Sequence, residues 1–168
     1  TMRGPIRDFY SERLDKLASE VEGIAISADA TKSDEVAEVF KKAPQEAGTP
    51  TAVVNCVGSI LLKPAHMTTD DEWDLTMALN LNSSFYIVRQ AARLLRKNGG
   101  AIALCSSAAS QIGLANHEAI AAAKGGVISL TRSAAATYAA SGVRVNAVAP
   151  GLVDTEMAKP VTGNESAL

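Results

Sequence analysis

Aromatic residues are scarce in this chain of 168 residues, at 4% with a single tryptophan. That argues against an aromatic-lined binding face. Cysteine is nearly absent: Cys56 and Cys105 are too few for a disulfide framework, and both sit in apolar runs that read as core. The 16 basic and 18 acidic residues leave a net charge of −2, so no basic excess points to nucleic acid or to an anionic membrane. No apolar run approaches the ~20 residues that span a bilayer. The N-terminal segment, Thr1-Met2-Arg3-Gly4-Pro5, lacks the apolar stretch of a signal peptide. With only His66 and His117, and no paired cysteine or carboxylate spacing, no metal set is expected. The expected class is a cytoplasmic globular protein. At 47% hydrophobic residues it has material for one core.

What is abundant is alanine, arranged in alternating helical and strand-like runs. Leu14, Leu17 and Val21 give a helical stripe over residues 11–21. Residues 24–28 (Ile-Ala-Ile-Ser-Ala) read as a strand. Ser33 reads as the cap of a second helix with Val36, Val39 and Phe40 on its buried side. Residues 51–57 are a second apolar strand. Thr69 and Glu72 make a capping box that opens a helical pattern over 70–97. Further strands are expected at 101–105 and 144–149, flanking an alanine-rich helix over 118–140. Short apolar strands alternating with helices predict an α/β fold, a doubly wound parallel sheet. Val53, Val54, Ile102 and Val145 are its expected buried strand residues. No repeat or linker divides residues 1–168, which read as a single domain.

Ligands of such sheets bind at the carboxyl ends of the strands. Four of these ends carry polar or glycine residues: Asp29-Ala30-Thr31, Asn55-Cys56-Val57-Gly58, Ser106-Ser107 and Pro150-Gly151. In that order, and with Leu79-Asn80-Leu81 and Phe85 between them, these segments resemble the short-chain dehydrogenase/reductase family over about residues 11–157. Lys124 lies 17 positions after Ser107, at the family's serine-to-lysine spacing. The resemblance implies a Rossmann-like sheet and hydride transfer between NAD or NADP and a small alcohol or carbonyl compound. It implies catalytic roles for Ser107, Lys124 and Asn80. It also places cofactor contacts at Asp29, Ala30, Asn55, Val57, Gly58, Lys124, Pro150, Gly151, Val153 and Thr155. Family members commonly pair through the two long helices, so a homodimer or homotetramer is expected, with Ala121, Ala122, Ala134 and Ala135 permitting close contact.

Three departures qualify that implication. The family's Tyr-x-x-x-Lys reads Ile120-Ala121-Ala122-Ala123-Lys124, so the proton-donating tyrosine is replaced by isoleucine. The sequence contains no T-G-x-x-x-G-x-G loop to hold a pyrophosphate, which predicts weak dinucleotide binding by these 168 residues. The domain is accordingly expected to be partial, without the family's first strand-helix unit and its last strand. The residue that would separate NAD from NADP is not identifiable. His117 shares a helical face with Ile120 and Lys124 and is a candidate substitute acid, the simpler reading being that it merely caps or precedes the helix in solvent. The simplest structural alternatives are a turn hydroxyl at Ser107, a solvated lysine at 124, a local cap at Asp29 and a purely structural Asn80. A non-catalytic relative that binds a nucleotide or acts through its surface is the competing functional reading.

Overall fold

The computed structural model describes residues 5–159. The element order is α1 (Pro5–Glu20), α2 (Ser33–Ala47), β1 (Ala52–Asn55), α3 (Asp70–Met77), a π-helical turn (Ala78–Asn82), α4 (Ser83–Leu95), β2 (Gly100–Cys105), α5 (Glu118–Tyr138) and β3 (Val143–Val148). The three strands form one parallel sheet in the order β1-β2-β3. In register, Val53 lies beside Ile102, and Ile102 beside Val145. The parallel α/β reading holds.

Helices α4 and α5 cover one face of the sheet. Ile102, Leu104, Val143 and Val145 pack there against Val88, Ala91 and Leu95 of α4 and Val127 and Ala134 of α5. Ala134, expected to serve a contact between chains, is instead a core residue, 6% exposed. Helix α5 presses closely on the π-helical turn, and Gly126 marks the approach: a Cβ there would lie 2.8 Å from Cδ2 of Leu81.

The other sheet face is open among the described residues. Val54 is 67% exposed and Val148 64%. Burial of all four chosen strand residues is thus corrected: Ile102 and Val145 are buried, Val53 is half-buried and Val54 is exposed. A parallel strand alternates its side chains between faces, so one covered face protects only every second residue. For the same reason the thiols are not core groups: Cys56 is exposed and Cys105 half-buried.

Three local expectations also change. Residues 24–28 form no strand, since an extended segment becomes a strand only with a ladder partner. The expected stripe of Leu14, Leu17 and Val21 is only partly covered: Leu14 is half-buried, while Leu17 and, just past α1, Val21 are exposed. Ser33 is the first residue of α2, not its cap. Lys32 holds the cap position, and the Ser33 hydroxyl accepts a 2.6 Å hydrogen bond from the Arg89 guanidinium, tying α2 to α4. The capping box does form: Thr69 accepts from the Glu72 amide while the Glu72 carboxylate accepts from the Thr69 amide.

Candidate active site

The predicted helix over 70–97 is broken where the site needs it. Between α3 and α4 the Ser83 amide reaches back five residues to the Ala78 carbonyl, giving the widened π turn. The hydroxyls of Ser83 and Ser84 donate to the Leu79 and Asn80 carbonyls, at 2.6 and 2.7 Å. Asn80 sits within this turn, fully buried. Its Nδ2 donates to the Thr76 carbonyl (2.9 Å) and to Ser59 Oγ (3.1 Å), and its Oδ1 accepts from the Ser59 amide (3.2 Å). All of its amide atoms are thereby oriented.

Asn55, the last residue of β1, is 2% exposed. Its Nδ2 donates to Ser84 Oγ at 3.0 Å and its Oδ1 accepts from the Val57 amide at 3.0 Å. A chain of hydrogen bonds therefore runs from the Val57 loop through Asn55 and Ser84 to Asn80. Gly58 follows in that loop. A Cβ there would stand 2.9 Å from Asn80 Oδ1 and 3.3 Å from Lys124 Nζ, so only glycine lets the loop pass between the two groups.

Lys124 projects from α5 and is 7% exposed. Its ammonium donates to the Cys105 carbonyl at the end of β2, 2.8 Å away. Its own carbonyl accepts from Ser106 Oγ at 2.9 Å. Burial holds the Lys124 ammonium below the usual lysine pKa, with the thiols of Cys105 and Cys56 opposing that shift. Ser107 follows directly. It is half-buried, and its Oγ accepts from the Ala109 amide at 3.2 Å, opening the turn Ala108–Ser110. The Pro150 carbonyl accepts from the Ala108 amide at 2.8 Å, which brings the end of β3 alongside.

The structure thus gathers Asn55, Val57, Gly58, Asn80, Ser107, Lys124 and Pro150 around the carboxyl ends of three parallel strands. Gly151 follows Pro150, and a Cβ there would meet no atom within 4 Å. The remaining candidates are engaged locally. Asp29 Oδ1 accepts from the amide and hydroxyl of Thr31, at 2.9 and 2.7 Å, in the turn that holds Ala30 before α2. Val153 is exposed, and Thr155 caps the short turn Glu156–Ala158. Ile120 is buried, 4% exposed, one helical turn before Lys124. His117 stands at the entry of α5, with Nδ1 2.6 Å from the Ala115 carbonyl.

Sequence reasoning missed Ser59 and Ser84, the two hydroxyls that orient Asn80 and Asn55. The spacing of Ser84, four residues after Asn80 and so on the same helical face, was the one available signal. It also missed the Lys63–Glu72 pair. The Lys63 ammonium lies 2.8 Å from the carboxylate and, with the Thr69 amide, lowers the Glu72 pKa.

Residues 6–168 match the family described as enoyl-(acyl carrier protein) reductase. The chain is 40% identical over 135 residues to the hydroxynaphthalene reductase-like protein Arp2 of Metarhizium anisopliae, covering 80% of this chain and 50% of that protein. It is 34% identical over 156 residues to the inactive 2-(S)-hydroxypropyl-CoM dehydrogenase 2 of Xanthobacter autotrophicus, covering 90% of this chain and 68% of that one. The crystal structure of a short chain dehydrogenase from Mycobacterium smegmatis superposes with a TM-score of 0.79 at 32% identity, covering 84% of this chain and 61% of that one. The chain spans about half the length of several of the curated relatives it matches. Agreement of this breadth, in sequence and in fold alike, makes the chain a member of the short-chain dehydrogenase/reductase family.

Proposed function

We propose that these residues form the substrate-side rim of an NAD- or NADP-dependent oxidoreductase acting on a small alcohol or carbonyl compound, with its proton step impaired at position 120. The observation that carries this reading is Lys124. A lysine placed in an alanine-rich helix and buried to 7% exposure costs desolvation energy, and one carbonyl partner offsets only part of it. An ammonium has three donors, and the bond to Cys105 uses one. The others would serve a ribose hydroxyl. The nicotinamide, when bound, supplies the hydride.

The protein's own groups divide the remaining work. Ser107 Oγ accepts from the Ala109 amide, which leaves its proton available to a carbonyl oxygen. Lys124 would hold the nucleotide ribose. Asn80 is held by Ser59 and Thr76 so that its position does not drift. Reducing a carbonyl to an alcohol needs a proton at its oxygen, which a side chain of this site would have to supply. Ile120 has none to give.

A second reading is a family member that binds a nucleotide without turning it over. The buried, aliphatic Ile120 favours it. One assay, made on a form of the protein that binds the cofactor, separates the two: reduction of simple ketones with NADH and NADPH by the wild type, Ile120→Tyr and His117→Ala. Restoring a positioned acid is expected to raise turnover by about 10²–10⁴. His117→Ala is expected to leave residual turnover and its pH profile unchanged, because the His117 ring is tied to the Ala115 carbonyl at the helix entry. Rapid wild-type reduction that Ile120→Tyr fails to improve would overturn the impaired-enzyme reading. No turnover even in a nucleotide-binding Ile120→Tyr protein would favour the second. A homodimer or homotetramer belongs to the same proposal.

A further inference from the structure

We propose that Cys56 and Cys105 form a redox-active pair, a modification site that takes a small-molecule disulfide and closes to a disulfide across the ends of β1 and β2. The argument begins with the register. Asn55, the last residue of β1, lies beside Leu104 in parallel pairing, so the chain leaves the ladder at Cys56 next to Cys105, the last residue of β2. Side chains alternate along a strand, which puts Cys105 on the face of Ala103, and the same alternation carried one residue past β1 turns Cys56 to the face of Val54. Val54 and Ala103 are register partners on the open face. Neighbouring strands run about 4.8 Å apart, inside the Cα separation of roughly 4.4–6.8 Å that a disulfide spans.

Bridging also needs the two Cβ atoms somewhat closer than parallel pairing sets them. The ladder supplies that freedom, because β1 ends at Asn55 and Cys56 is the first residue released from it. Access is given as well: Cys56 is exposed and Cys105 half-buried. The Cys105 thiol makes only a long contact, 3.7 Å, with the Ser106 carbonyl.

The chemistry is thiol–disulfide exchange. The Cys56 thiol loses its proton and attacks one sulfur of the small disulfide, releasing the first small thiol. The Cys105 thiol then loses its proton and displaces the second. Two protein thiols are oxidised by two electrons, and one small disulfide is reduced to two thiols. The new bond would sit beside the Cys105 carbonyl that holds Lys124 and beside the loop of Gly58.

The test is incubation of the protein with oxidised glutathione, alkylation of the remaining thiols, and mass spectrometry before and after digestion. The expected product is a monomer lighter by two hydrogen atoms. Its peptides carrying Cys56 and Cys105 are joined, and dithiothreitol reverses the change. Cys56→Ala and Cys105→Ser are each expected to stop the reaction at a mixed disulfide on the remaining cysteine, or at no reaction. A wild-type protein that ends as a stable mixed disulfide, as cross-linked chains or with both thiols free overturns the proposal.

Discussion

Burying an ammonium group makes folding stability depend on pH, and Lys124 is the residue where this dependence concentrates. Its pKa is lowered chiefly by desolvation. The unfolded chain, with an ordinary lysine, therefore binds the proton more tightly than the folded one. The destabilisation is fully present below the folded pKa and fades as pH rises toward the unfolded value. Denaturant midpoints are expected to increase through the alkaline range below about pH 10.5. Lys124→Met, which keeps the aliphatic stem, is expected to flatten that slope. An unchanged slope in the variant would remove Lys124 as its source. At this scale the sequence was informative where its segments resemble the family's: Asn80, Ser107 and Lys124 are read from that resemblance, and the fold brings them to one rim. The hydroxyls of Ser59 and Ser84 escaped because their partners come from distant segments, as in the Asn55–Ser84 bond.

Elements followed the sequence where hydrophobic runs and caps agreed, and departed from it where neighbours decide. The strands expected at 101–105 and 144–149 form within one residue of those limits, and Gly48 ends α2 with φ 81°. Residues 24–28 have strand-like composition, but a parallel strand is defined by its partner, which composition does not reveal. The π turn is hidden for another reason: it leaves the helical pattern on both sides intact and differs by one residue per turn. Sheet coverage was the largest error, and it gives a direct contrast. Ile102→Ala is expected to cost about 2–5 kcal/mol, from lost burial and a residual cavity. Val54→Ala, on the open face, is expected to stay within about 0.5 kcal/mol. Urea denaturation of the two variants checks both, and equal losses would mean that both faces are covered in solution.

At the scale of the chain, hydrogen bonds hold the proposed substrate rim, while these 168 residues lack the sequence feature that cradles a pyrophosphate. Dinucleotide binding draws on backbone amides in a glycine-rich loop at a helix start. These 168 residues contain no such motif. Calorimetric titration with NADH and NADPH is expected to show weak binding or none, and low-micromolar affinity for either would overturn that expectation. The parallel sheet has a further consequence, which concerns time. Ala52 pairs with Ala101, and Ile102 with Val145, so every ladder joins positions more than forty residues apart. Closing such loops must precede the contacts that reward it, whereas α5 can gain its first turns locally. Refolding followed by stopped-flow circular dichroism and by hydrogen-exchange labelling is expected to show amide protection in α5 before protection in β2. Until the strands meet, Ile102, Leu104, Val143 and Val145 remain in water, which makes the slow step also the interval of greatest risk of aggregation.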